Sequence, residues 1–139
     1  MKIVTIIEEV KRLANLRPLV VITGGEPLIH KKPLVTLVRA LKKQGYRYIE
    51  IETNGTIIPP PELNVMNYIV SPKLSNAGLK KPAKVQYDYF VALAKNDWAK
   101  FKFVIDTQDD MREVWEIEGK YHMQPEWTYL MPQARSTQE

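Results

Sequence analysis

Five short apolar runs punctuate this chain: "LVVIT", "YIEIET", "NYIV", "AKFKFVI" and "WTYLM". Each stops at glycine, proline or polar residues: "GGEP", "NGT", "SPK", "DTQ" and "PQ" in turn. Runs this short and this rich in β-branched and aromatic residues read as strands. The segments between them carry helical spacing. Ile3 to Leu16 sets Ile3, Ile6, Ile7, Val10 and Leu13 three or four apart with charges between, and Leu34, Leu37, Val38 and Leu41 repeat the pattern over Pro33–Gln44. Proline in the first turn and Gly45 just beyond the last one mark the ends of that second helix.

Two further helices complete the alternation. "VQYDYFVALAKN" is one, with an ill-defined start among aromatic and β-branched residues. "TQDDMREVWEIEGK" is the other, where Thr107 is a cap and Asp110 completes a variant of the capping box. Strand and helix in alternation predict an α/β fold, a parallel sheet with crossover helices. "LVVIT", unbroken and β-branched, reads as a strand buried on both faces. Asn54-Gly55 is a strong hairpin signal, yet the prolines Pro59 to Pro61 that follow cannot donate to a ladder, so a strand-to-loop exit is the better reading.

Composition limits the class. A length of 139 residues with 45% hydrophobic and 26% charged residues suits one globular domain over 1–139, not disorder. The absence of a bilayer-length apolar run or a secretory leader predicts a cytoplasmic protein with no membrane contact. The charge of +4 comes from lysine pairs scattered along the chain, which reads as solubilising surface with no nucleic-acid partner, and "KFKF" alternates as a strand should. With no cysteine, the 139 residues themselves offer no disulfide, no thiolate metal site and no cysteine-held iron–sulfur cluster. His30 and His122 are isolated and read as surface or loop residues.

In a parallel sheet every strand exit gathers at one edge, where α/β folds bind ligands. That makes the five stops a candidate site, although "GGEP" taken alone reads equally as an ordinary turn. Gly24 and Gly25 let a ligand approach the backbone, Glu26 offers an acceptor for an ammonium, and Pro27 fixes the turn. Neither the phosphate-loop spacing nor the dinucleotide fingerprint is present. "ETNGT" adds Glu52, Thr53, Asn54 and Thr56; in "SPK", Lys73 offers a cation if it turns inward and is solvated if it does not.

"VVITGGEPL", "IEIETNGT", "SPK" followed by "KFKFVI", and "YLMPQ", in that order, resemble the 7-carboxy-7-deazaguanine synthase family of radical S-adenosylmethionine enzymes over nearly the whole chain. The resemblance implies a partial (β/α) barrel. It assigns S-adenosylmethionine to Gly24, Gly25, Glu26, Ser71, Pro72, Lys73, Thr107 and Gln108, with Glu26 supporting the glycine loop. A pterin-like substrate is assigned to Thr23, Glu52, Asn54 and Pro132. It further implies a [4Fe–4S] cluster and magnesium, and conversion of 6-carboxy-5,6,7,8-tetrahydropterin to 7-carboxy-7-deazaguanine, a deazapurine precursor, with the hard chemistry carried by the cofactor.

The departure from the family is the missing cysteine loop, which should follow a strand ahead of Met1. Truncation at the N-terminus, a separate cluster-bearing chain, and loss of the chemistry are the three explanations it leaves. A further C-terminal segment is also expected beyond "MPQARSTQE", and an exposed first strand would favour a homodimer or another partner. The residues leave two other functions open: a non-catalytic S-adenosylmethionine-binding or partner module, and a fragment of a glycyl-radical activase-like enzyme.

Overall fold

The computed structural model describes residues 2–13, 19–63, 67–81 and 83–133. Helix α1 spans Ile3–Leu13, and the remainder of the helix expected to Leu16 lies outside the described residues. Strand β1 (Val20–Ile22) is followed by a short 3-10 turn, Pro27–His30, that runs directly into α2 (Lys31–Lys43). Then come β2 (Ile49–Thr53), β3 (Asn67–Val70), α3 (Tyr87–Ala94), β4 (Ala99–Ile105), α4 (Gln108–Tyr121) and β5 (Thr128–Pro132). Every expected strand and helix forms.

The helix ends have local causes. Gly45, at φ +92, lets the chain leave α2 while its N–H bonds to the Lys42 carbonyl and that of Tyr46 bonds to the Leu41 carbonyl, satisfying the last turn. At α4 the capping box is complete: the Asp110 N–H donates to the Thr107 hydroxyl at 3.3 Å, and the Asp110 carboxylate accepts from the Thr107 N–H at 2.8 Å. The same carboxylate accepts from the Asp106 N–H at 2.8 Å. Those backbone donors, Asp106 first, hold Asp110 below the usual carboxylate range against the opposing effect of burial.

All strand pairs are parallel and the order is β1-β2-β3-β4-β5. In strictly sequential order, the right-handed crossovers that parallel strands follow as a rule put the helices on one face, the arrangement of a barrel wall rather than of a doubly wound sheet. Register identifies that face: Ile51 pairs with Tyr68, Tyr68 with Ala99, and Val70 with Phe101. All five are buried with Leu28, Leu34, Val38, Leu41, Phe90 and Val114 from the helical layer. Full burial of each large side chain contributes about 1.5–3 kcal/mol, which makes this layer the main stabiliser of the fold.

The opposite face carries Val21, Glu50, Glu52, Ile69, Lys100, Lys102 and Val104, all partly or well exposed. The expectation that "LVVIT" is buried on both faces is therefore corrected. Val21 is 42% exposed, because β1 is an edge strand and, among the described residues, the core helices pack on its other face. A continuous β-branched run looks the same at an edge as in a centre; neighbours decide. Among the described residues no helix is long and apolar enough to cross a membrane.

Candidate functional site

The strand exits do gather at one edge, and the first two are tied together. Gly24 and Gly25 follow β1 at φ +99 and +46, a turn that L side chains rarely adopt. A Cβ built on either would meet no atom within 4 Å, so this backbone lies open to an approaching ligand. Glu26 does not share that freedom. Its carboxylate accepts from the Leu28 N–H at 3.0 Å, from the Thr53 hydroxyl at 2.9 Å and from the Asn54 N–H at 2.8 Å.

Glu26 is thus a strap from the first exit to the second. Three protein donors already use its oxygens, which leaves about one lone-pair site for the ligand ammonium that "GGEP" suggests. Thr53, 3% exposed, completes the strap by accepting the Gly55 N–H at 3.1 Å. Asn54 turns its side-chain oxygen to the Thr56 N–H at 2.9 Å and the Thr56 hydroxyl at 2.7 Å, closing a local turn. Asn54-Gly55 is a strand exit and not a hairpin, since β2 and β3 run parallel.

The third exit joins the second through the Ser71 N–H, which donates to the Thr53 carbonyl at 2.7 Å. Pro72 beside it is buried. Lys73 is exposed and lines a cavity of about 350 Å³ with Leu74, Tyr87, Glu113, Ile117 and Tyr121, on the side of α3 and α4. Its neighbour Ser75 is fixed there by Glu113, which accepts from the Ser75 hydroxyl at 2.6 Å.

Thr107 and Gln108 stand at the fourth exit, where the Thr107 hydroxyl is engaged in capping α4. Pro132 ends β5 in register with Ile105, while the Gln133 N–H beyond it donates to the Ile105 carbonyl at 2.8 Å.

Thr23 and Glu52 do meet, on the open face of the sheet. The Thr23 hydroxyl donates to Glu52 Oε2 at 3.3 Å. Glu52 Oε1 accepts from Lys102 Nζ at 3.0 Å, with side-chain exposures of 31% and 21%. Lys102 is the residue that reading the sequence missed. Its signal lay in "KFKF", where alternation put Phe101 and Phe103 in the core and so had to put both lysines on the face occupied by Glu52. Glu50, one pleat back on that face, is raised by burial first and by the Glu52 charge second, with Lys102 opposing both.

The glycine loop suits the methionyl end of S-adenosylmethionine in one testable respect: its backbone is open, turned and unobstructed. An iron–sulfur cluster does not fit these residues. There is no cysteine in the chain, and among the described residues no group of three His, Cys, Asp or Glu side chains converges. His30 and His122 are both exposed, His30 at the end of the turn before α2 and His122 just past α4.

No family model matches the chain. It is similar to curated proteins named 7-carboxy-7-deazaguanine synthase. With that of Pyrobaculum aerophilum it shares 43% identity over 123 residues, covering 86% of this chain and 52% of the relative. With that of Hyperthermus butylicus it shares 37% over 131 residues, 90% of this chain and 54% of the relative. With that of Rhodopirellula baltica it shares 30% over 132 residues, 86% of this chain and 50% of the relative. The chain spans about half the length of these relatives.

Proposed function

This chain carries the likeness of the 7-carboxy-7-deazaguanine synthases over most of its own length and about half of theirs, and on that premise we propose that it is their cofactor- and substrate-binding barrel wall. The observation that carries the reading is the convergence of the "TGGEP" and "ETNGT" exits on one carboxylate, Glu26. In this reading the Gly24–Gly25 backbone receives the methionyl amino group of S-adenosylmethionine. Ser71, Pro72 and Lys73 border the ribose or methionyl part, and Thr107 with Gln108 lies beside the nucleoside. Thr23, Glu52, Asn54 and Pro132 address the pterin-like substrate.

S-adenosylmethionine, when bound, is the source of the radical chemistry; the chain's own work is to hold and orient. Glu26 keeps the glycine turn from collapsing by pinning it to Thr53 and Asn54. Glu52 presents an acceptor on the open face, where a heterocycle with N–H donors would lie. With no cysteine in the chain, reductive cleavage requires a cluster held by other residues, either in a longer form of this polypeptide or in a separate chain. Magnesium, cytoplasmic location and a homodimer stand as parts of the same proposal.

Isothermal titration tests it. The expected result is saturable binding of S-adenosylmethionine, then of 6-carboxy-5,6,7,8-tetrahydropterin to the cofactor-loaded chain. No heat from S-adenosylmethionine at millimolar concentration would defeat the proposal.

A further inference from the structure

We propose that Lys102 is the positioning residue for Glu52: bridging two strands over β3, it aims that carboxylate along the open face and so sets affinity for a heterocycle edge that donates N–H groups. The inference rests on the substrate reading given above and deepens it.

The geometry separates this pair from an ordinary surface ion pair. Glu52 and Lys102 lie on β2 and β4, which are not neighbours. Register sets Glu52 beside Ile69 and Ile69 beside Lys100, so Lys102 stands two residues further along β4, and with strands about 4.8 Å apart both side chains have to extend diagonally over β3 to meet at 3.0 Å. A single ion pair held by two flexible side chains adds little net stability, so stability is a weak reason for this reach. The pair sits instead directly below the first exit, where Thr23 adds a third strand's contribution to the same carboxylate.

Valence is left over on both partners. A carboxylate has about four lone-pair sites. Lys102 and Thr23 take one each on Glu52. The Lys102 ammonium has three N–H donors, of which Glu52 takes one. Both side chains stand on the sheet face opposite the packed core, and their remaining acceptors and donors match a ring edge with N–H groups beside a carbonyl oxygen. The other charges on this face do not substitute for Lys102. Glu50 bears the same sign as Glu52, and Ile69 of β3 bears none. Lys100 turns its ammonium to Asp97 at 3.2 Å and to the Glu126 carbonyl at 3.4 Å, at the entry end of its strand.

The two lysines of "KFKF" therefore provide their own control. Titrating 6-carboxy-5,6,7,8-tetrahydropterin into the cofactor-loaded full chain should give at least tenfold weaker binding for Lys102→Met and no change for Lys100→Met. Lys102→Arg should recover most of the loss. Because Lys102 acts through Glu52, the double variant Glu52→Gln/Lys102→Met should bind no more weakly than Glu52→Gln alone. S-adenosylmethionine affinity should be the same in all of them. Independently of any ligand, the side-chain nitrogen signal of Lys102 should be protected from exchange in the wild type and lost in Glu52→Gln.

Lys102→Met binding the pterin as well as wild type overturns the inference alone, as do additive losses in the double variant or an unchanged Lys102 nitrogen signal. A wild type that takes up S-adenosylmethionine but no pterin overturns the substrate reading and this inference with it.

Discussion

Two glycine turns stand side by side at the strand-exit edge of this sheet, and they are glycine for different reasons. Gly55, leaving β2 at φ +77, is walled in: a Cβ there would lie 2.7 Å from Val70 Cγ1 and 3.0 Å from Val85 Cγ1. Gly24 and Gly25, leaving β1, have open space where a Cβ would go. The first lacks a side chain because the core has filled the position. The second has open space around it, and its glycines answer to the positive φ of the turn. Both turns hang on Glu26, so the packed exit serves as a foundation for the open one.

The contrast is tested most severely at Gly55. Gly55→Ala combines a positive-φ penalty with overpacking against Val70 and Val85, each of order 1–3 kcal/mol, so urea denaturation should show a loss of about 2–6 kcal/mol. If it unfolds at the wild-type midpoint, the packed side of the comparison is wrong. Glu26→Ala comes next. It leaves three donors without their acceptor, and with a partly buried group the expected cost is about 2 kcal/mol, with Thr53→Val costing less. A double-mutant cycle should show the two changes coupled rather than additive.

At the open turn the effect should move from stability to binding. Gly25→Ala, with space around it and strained only by its positive φ, should cost about 1–2 kcal/mol in a thermal melt, less than Gly55→Ala. Its affinity for S-adenosylmethionine should fall at least tenfold by titration calorimetry. A variant that loses stability and keeps affinity would reverse the roles assigned to the two turns.

The smallest expected effect is at Asp110, remote from both turns. Backbone donors lower its folded-state value below the unfolded one. Its contribution is therefore complete above the ordinary carboxylate range and fades as pH falls through the lowered value. Asp110→Asn should melt below wild type at neutral pH, and the gap should close only in strong acid.

Much of this architecture could be read in advance because its causes are local. Thr107 and Asp110 announce a capping box within four residues, and Gly45 ends α2 by a positive φ that its own sequence supplies. The alternation of "KFKFVI" and the three prolines after Asn54-Gly55 decide, respectively, a strand and the absence of a hairpin. The site was harder. At Glu26 a sequence shows an acid after two glycines and not the hydroxyl of Thr53, 27 residues on, that ties it to the second exit. Lys102 looked like half of a strand pattern because its partner is 50 residues away.

The order of the chain alone determined that strands and helices alternate, where each stops, that the strand exits carry the polar residues, and that no cysteine is present to hold a cluster. Periodicity, capping and composition act over a few residues and need no tertiary partner. Only the folded structure decided which glycine is packed and which is open, that β1 is an edge with one bare face, and that Glu52 reaches Lys102 across β3. Those facts depend on sheet register and on what lies above each face, and both are set by contacts between segments far apart in the chain.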